Sequence, residues 1–186
     1  MNPEHPHRLL LVELLRLLPW LSLIEVGCGA GANLKAILKV MPNRQVGGID
    51  VNKDAIEFCK KEFTRGLFKV GKADDIMLSD KSCDILLADM LYIYISPRKI
   101  ERHLRELKRV ARNHIVLFEL NSPSLWERLA LKWKEGYNAY NWKKLLKENE
   151  FYDIETYKIP REAWPESDLQ QKYGTIIVRK APRDYQ

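Results

Sequence analysis

Five short apolar runs alternate with amphipathic stretches along this chain, and the first run opens directly onto a loop with three glycines. The runs are "LSLIEV", "QVGGIDV", "LFKV", "DILLAD" and "HIVLFEL". Between the first three lie helical segments, "NLKAILKVM", stopped by Pro42, and "KDAIEFCKKEF". Runs this apolar suit strands buried on both faces, and strand–helix alternation builds a parallel sheet covered by helices on both sides. Right-handed crossovers then place a ligand site at the carboxyl ends of the strands. After a helix at "WKKLLKEN" come two more strand signals, "FYDIETYKI" and "GTIIVRK". The "PREAWPESDLQQKY" between them holds two prolines and reads as a loop. Sheet neighbours joined without a crossover helix must pair antiparallel. The expectation is an α/β domain whose mostly parallel sheet ends in an antiparallel hairpin.

A chain of 186 residues with 46% hydrophobic content can bury one substantial core. The charge balance, 31 basic against 25 acidic residues, is compatible with an anionic partner but does not require one. Cys28, Cys59 and Cys83 are scattered and lack metal spacing, so they read as reduced thiols of a cytoplasmic protein with no metal. The apolar run Leu9–Leu18 carries Glu13 and Arg16 and stops at Pro19. It is too short to span a bilayer and lacks the flanks of a signal peptide, so it reads as a buried helix, with no membrane partner expected.

The loop Gly27-Cys28-Gly29-Ala30-Gly31-Ala32 fits the dinucleotide fingerprint G-x-G-x-x-G/A as well as a methyl-donor loop. Three further features stand at fixed places. Glu25 lies in the first strand, two residues before Gly27, and Asp50 ends the second, where a carboxylate can take both hydroxyls of a ribose. "VGKADDIMLSDKSCD" separates the third strand from the fourth.

With these features the chain resembles the class I S-adenosylmethionine-dependent methyltransferases from about residue 20 onward. Their first motif, acidic-x-G-x-G-x-G, is matched by Glu25 through Gly31, and "GKADDIMLSDKSCD" follows a stretch common among them. The resemblance implies a Rossmann-like three-layer fold with seven strands in the order 3-2-1-4-5-7-6. It implies one domain over residues 1–186: an N-terminal helix (1–20), a donor-binding half (21–120), and an acceptor-side cover with the hairpin (121–186). S-adenosylmethionine would be the cofactor and S-adenosylhomocysteine the product. Gly27, Gly29 and Gly31 would pass the methionine part of the donor, and Glu25 would lie near its amino group. Asp50 would bind the ribose, Val51 would lie against the adenine, and Ala73 and Asp74 would lie at its edge. The chain departs from the pattern at Lys72, where the family usually has an Asp. Lysine offers no acceptor, so Asp74, Asp75 or a backbone carbonyl must serve.

The acceptor belongs over the end of the fourth strand, at "ADMLYIYIS". Asp89 is the acid expected near the methyl group, in both donor binding and catalysis. Tyr92 is expected as a catalytic lining residue and Tyr94 beside it; core packing is the competing role for both. Glu119 ends the fifth strand and opens toward the same place. His103 shares an apolar helix face with Ile100 and Leu107 and reads as packed. "ADML" is not the D/N-P-P-Y/F of base and glutamine methylators, so a small-molecule acceptor is favoured. The helix opened by Ser96-Pro97 carries Arg98, Arg102, Arg105, Arg109 and Arg112 on its outer face. They read as a solvated face, or as a dock if the acceptor is RNA or protein. The glycine loop is also compatible with a nicotinamide-dependent oxidoreductase, and the donor motifs with a non-catalytic donor-binding subunit. Trp126, Leu129, Ala130 and Trp133 share a face that either packs or forms an aromatic lid.

Overall fold

The computed structural model describes residues 4–180; residues 1–3 and 181–186, the outer ends of the expected first and last segments, lie outside the described residues. The donor half runs α1 (Pro6–Arg16), β1 (Ser22–Val26), α2 (Ala32–Val40), β2 (Gln45–Asp50), α3 (Lys53–Glu62), β3 (Phe68–Val70) and β4 (Cys83–Asp89). There follow α4 (Ile100–Val110), β5 (Ala111–Leu120), α5 (Leu125–Glu135), α6 (Trp142–Glu148), β6 (Ile154–Lys158), α7 (Asp168–Tyr173) and β7 (Gly174–Lys180). One seven-stranded sheet has the order β3-β2-β1-β4-β5-β7-β6. Pairing is parallel except where β7 meets β5 and β6. The expected order and antiparallel finish are both present.

Alternation along the buried strands sorts their side chains into two cores. Leu23, Ile85, Leu87 and Val116 pack with Leu11 and Leu15 of α1, Leu34 of α2 and Ile56 of α3. Ile24, Leu86, Ile115 and Leu117 point the other way, against Leu104 and Leu107 of α4 and Trp142 and Leu146 of α6. Each such side chain contributes about 1.5–3 kcal/mol on burial. That two-sided demand is why the strand sequences are apolar throughout.

Three expectations are corrected. The α4 helix begins at Ile100, not at Ser96-Pro97, because the Ser96 carbonyl closes a separate turn with the Lys99 N–H (2.9 Å). The arginine face is not uniform. Arg98 and Arg105 are exposed, but Arg102 Nε donates to the Asp74 carbonyl (3.0 Å), and Arg112, on β5, pairs with Asp84 (2.6 Å). Arg109 donates to the carbonyls of Ile76 and Leu78 (both 2.7 Å) and is held by Glu106. The irregular β3–β4 connection has carbonyls that need donors, and arginines of the neighbouring helix supply them. Finally, the expected loop before β7 contains α7; both prolines, Pro160 and Pro165, precede that helix and leave it unbroken.

The α5 helix touches the body through Leu131, which packs with Ile93, Leu120 and Ala139. Its Leu125, Trp126, Leu129 and Trp133 are exposed, so packing does not explain them. Among the described residues, no helix is long and apolar enough to cross a membrane.

Candidate active site at the carboxyl ends of β1, β2 and β4

The loop leaving β1 carries positive φ at Gly27, Gly29 and Gly31. Two of these glycines also keep neighbours in place. A Cβ on Gly27 would meet Leu91 Cδ1 at 2.9 Å, and one on Gly31 would meet the Phe63 ring at 2.6 Å. Gly29 differs: a Cβ there would meet nothing within 4 Å, so the backbone faces open space. The Gly29 N–H donates to Asp50 Oδ2 and the Asn52 N–H to Asp50 Oδ1, both at 2.8 Å. Asp50 therefore fixes the glycine loop from the end of β2, while Asn52, not Asp50, caps α3. Val51 beside it is 69% exposed, a free apolar surface at the mouth. The Gly71 N–H donates to the Asp50 carbonyl (3.0 Å), which brings the segment holding Ala73 and Asp74 next to that mouth. Ala73 is buried in the second core, the Asp74 side chain is largely covered, and Lys72 is exposed.

The carboxylates form a buried chain across β1 and β4. Asn33 Nδ2 donates to Glu25 Oε1 (2.7 Å) and to Asp89 Oδ2 (2.9 Å). Three atoms of this group, Glu25 Oε2, Asn33 Oδ1 and Asp89 Oδ1, are buried acceptors with no hydrogen-bond partner among the described residues. Burial, reinforced by the charge of Asp89, pushes the Glu25 carboxyl up to about 8, against the opposing pull of Asn33 and Arg8.

Residues from the two ends of the described chain close over this group. His7 Nε2 lies 2.9 Å from Asp89 Oδ2, and its ring stacks on Trp164 (4.1 Å between centroids, 20° apart). His7 Nδ1 lies 2.7 Å from His5 Nδ1, which also accepts the His7 backbone N–H (3.3 Å). Asp89, His7 and His5 thus form one continuous chain of polar contacts. His5 Nε2 pairs with Glu166 at the surface, completing a polar path outward from Asp89.

Beyond β4 the chain turns at Met90, a non-glycine residue with φ +52°. Glu119 holds that turn: its Oε1 accepts the N–H groups of Leu91 (2.8 Å) and Tyr92 (3.0 Å). It is buried under the turn, where burial, with the charge of Asp89 adding to it, pushes its carboxyl well up, and its Oε2 has no hydrogen-bond partner among the described residues. Tyr92 lies outside the site. Its ring is fully buried between His103 and Trp142, because the turn directs it into the second core. His103 is packed as expected, and burial lowers its pKa. Tyr94 is exposed. A cavity of about 660 Å³ opens at the amino ends of β1, β2 and β4, among Gln45, Arg65 and Cys83, away from these groups.

Sequence reasoning missed His5, His7, Asn33 and Glu166. Two of them carry a signal. His7 shares a four-residue spacing with the buried Leu11 and Leu15, and Asn33 lies beside Leu34 on the inner side of α2. A polar residue on an inward helix face needs a polar partner.

Residues 23–114 match the profile of a methyltransferase domain. That segment is a methyltransferase domain, and the sheet order is that of the class I methyltransferase fold. The human thiol S-methyltransferase TMT1B is 27% identical over 169 residues, covering 87% of this chain and 63% of that protein. The fatty-acid O-methyltransferase of Mycolicibacterium smegmatis is 34% identical over 92 residues, 48% of this chain and 32% of that enzyme. The chain thus spans from just under a third to just under two thirds of the length of these methyltransferases. A chain in the complex between the Haloferax volcanii Trm112 methyltransferase activator and a methyltransferase superposes with a TM-score of 0.72 at 16% identity, covering 98% of this chain and 91% of that one.

Proposed function

We propose that this methyltransferase domain transfers a methyl group from S-adenosylmethionine to a small apolar acceptor. The observation that carries this reading is the trio of unpaired buried acceptors, Glu25 Oε2, Asn33 Oδ1 and Asp89 Oδ1, beside the open face of Gly29. Buried acceptors without donors are costly, and an ammonium group brings three N–H donors and a positive charge. A pyrophosphate would instead meet two buried acids, which counts against a nicotinamide-dependent oxidoreductase. Glu25, Asn33 and Asp89 would hold the amino-acid end of the donor, Asp50 the ribose, and Val51 with Ala73 and Asp74 the adenine. When bound, the donor supplies a methyl group already activated on a sulfonium. Asp89 and His7 would position the nucleophile and take its proton, passing charge outward through His5 to Glu166. The named acceptors of the two curated relatives, a thiol and a fatty acid, are small molecules, which supports that acceptor class.

Ligand-induced stabilisation tests the donor assignment. At a hundredfold excess over Kd, a ligand specific for the native state adds about 2.7 kcal/mol, roughly 5–10 °C in Tm for a domain of this size. S-adenosylmethionine and S-adenosylhomocysteine should both produce that shift, and NAD should not. Gly29→Ala places a methyl group in the open space and should shrink the shift. A shift with NAD alone would sink the proposal. Labelled donor with a panel of thiols, fatty acids and quinols then reads the acceptor.

Asp50→Ala gives a second measure. Losing a charged hydrogen-bond partner costs about 1.5–3 kcal/mol, so donor affinity should fall roughly tenfold to a hundredfold in a folded protein. Calorimetry showing unchanged affinity would remove Asp50 from the ribose site.

A further inference from the structure

The outer face of α5 is the largest unexplained feature of the surface. Leu125, Leu129, Trp133 and Trp126 fall within an arc of about 100°, on the side of the helix opposite Leu131. The helix therefore buries Leu131 against the protein and presents four large apolar residues to the outside. Trp126 is 80% exposed and Trp133 is 90% exposed. Contiguous apolar side chains of this size on an outer face mark a site of association.

Charge decides between possible occupants. Beside the stripe, a cavity of about 370 Å³ between α5 and α6 is lined by Leu125 and Leu129 together with Arg128, Lys132 and Lys144. One acid lines it as well, Glu148, which pairs with Lys144 at 3.7 Å. Over α5 and α6 together there are six basic and three acidic side chains. Protein interfaces are depleted in lysine, whereas here Lys132 and Lys144 line the cavity with Leu125 and Leu129, and Lys132 and Lys134 flank Trp133 in sequence. A helix with tryptophan and leucine on one face and basic residues along its flank matches the chemistry of a lipid headgroup layer over acyl chains.

We propose that α5 docks on an anionic lipid surface, with Trp126, Leu129 and Trp133 in the interfacial layer and Arg128, Lys132 and Lys144 against headgroup phosphates. The sequence alone assigns no membrane partner, because helical periodicity cannot tell an inward apolar stripe from an outward one. Through Leu131, the inner side of α5 rests in the cluster containing Met90, the neighbour of Asp89. Docking would hold the carboxylate site close to a medium in which apolar acceptors concentrate; that consequence rests on the proposed methyl transfer, whereas the docking does not.

Co-sedimentation with vesicles tests the surface. The protein should bind vesicles of equal parts phosphatidylcholine and phosphatidylserine, and bind phosphatidylcholine alone much more weakly. Binding should fall steeply with added salt, and tryptophan fluorescence should shift to the blue. Each basic residue at an anionic surface contributes roughly fivefold, so Lys132→Gln with Lys144→Gln should cost roughly twenty-fivefold. Trp126→Glu with Trp133→Glu should abolish binding and leave Tm unchanged, since neither side chain is part of a core. The Tm shift with S-adenosylmethionine should persist in that variant, so failure of docking and failure of the donor assignment read out separately. Absent binding, equal binding to neutral vesicles, or binding that survives the tryptophan changes would overturn the proposal. So would self-association of the unmodified chain that disappears in the tryptophan variant, because the occupant would then be a second copy.

Discussion

Raising the pH from about 6 to about 8 should tighten S-adenosylmethionine binding by one to two orders of magnitude, because Glu25 titrates near 8 and only its carboxylate can pair with an ammonium. Below that pH, binding must expel the Glu25 proton, so affinity falls roughly tenfold per unit. Calorimetry in buffers of different ionisation heat should find close to one proton released per donor bound near neutral pH. The free protein should respond in the opposite sense. Folded Glu25 holds its proton up to about 8, whereas the unfolded carboxyl releases it near 4.5. Folding therefore takes up a proton between those values, and stability declines as pH rises through them, by a few kcal/mol at most. Glu119, also raised by burial, adds to the same slope. Glu25→Gln separates the two: the variant should melt higher than the parent above neutral pH, yet bind the donor weakly and without pH dependence. Binding that stays constant with pH and releases no proton would show that Glu25 does not face the donor.

Removing the imidazole beside Asp89 should lower turnover by about 10²–10⁴, the usual range for a general base, but only with acceptors that must lose a proton. His7→Asn is the suitable variant, since it keeps a polar side chain against Asp89. With an alcohol or a weakly acidic thiol, kcat should fall, and raising the pH until the acceptor ionises by itself should restore it. With a fatty-acid carboxylate, already ionised, kcat should be nearly unaffected. Donor affinity should change little in either case. An equal loss with both acceptor classes would mean that His7 shapes the site and does not take the proton.

The parts of this site legible in the sequence are those built by neighbours in the chain. Glu25, the glycines and Asp50 act through strand ends and a tight turn, and local spacing encodes both. Three of the four parallel pairs are legible for the same reason, each being one strand–helix–strand unit, and the missing crossover helix announces the final hairpin; the place of β4 beside β1 follows from the family resemblance instead. His7 and Asn33 are not legible, because their roles depend on which way α1 and α2 face once packed. Tyr92 departs from expectation over a single turn. The positive φ at Met90 sends Tyr92 inward, and Glu119 is drawn beneath to satisfy two amides. The arginines of α4 read as one face from their periodicity, but what each does is set by the irregular loop lying across them.

The pairing of His5 with Glu166 joins positions 161 residues apart. His5 caps α1, whose Leu11 and Leu15 are anchored in the first core, whereas Glu166 lies on the exposed, irregular stretch before α7. A stretch with few buried contacts opens more readily than a core helix. On the proposed donor assignment, the Trp164–Glu166 stretch would be a door over the carboxylates, hinged beside α7 and latched to the N-terminal helix through histidine and carboxylate.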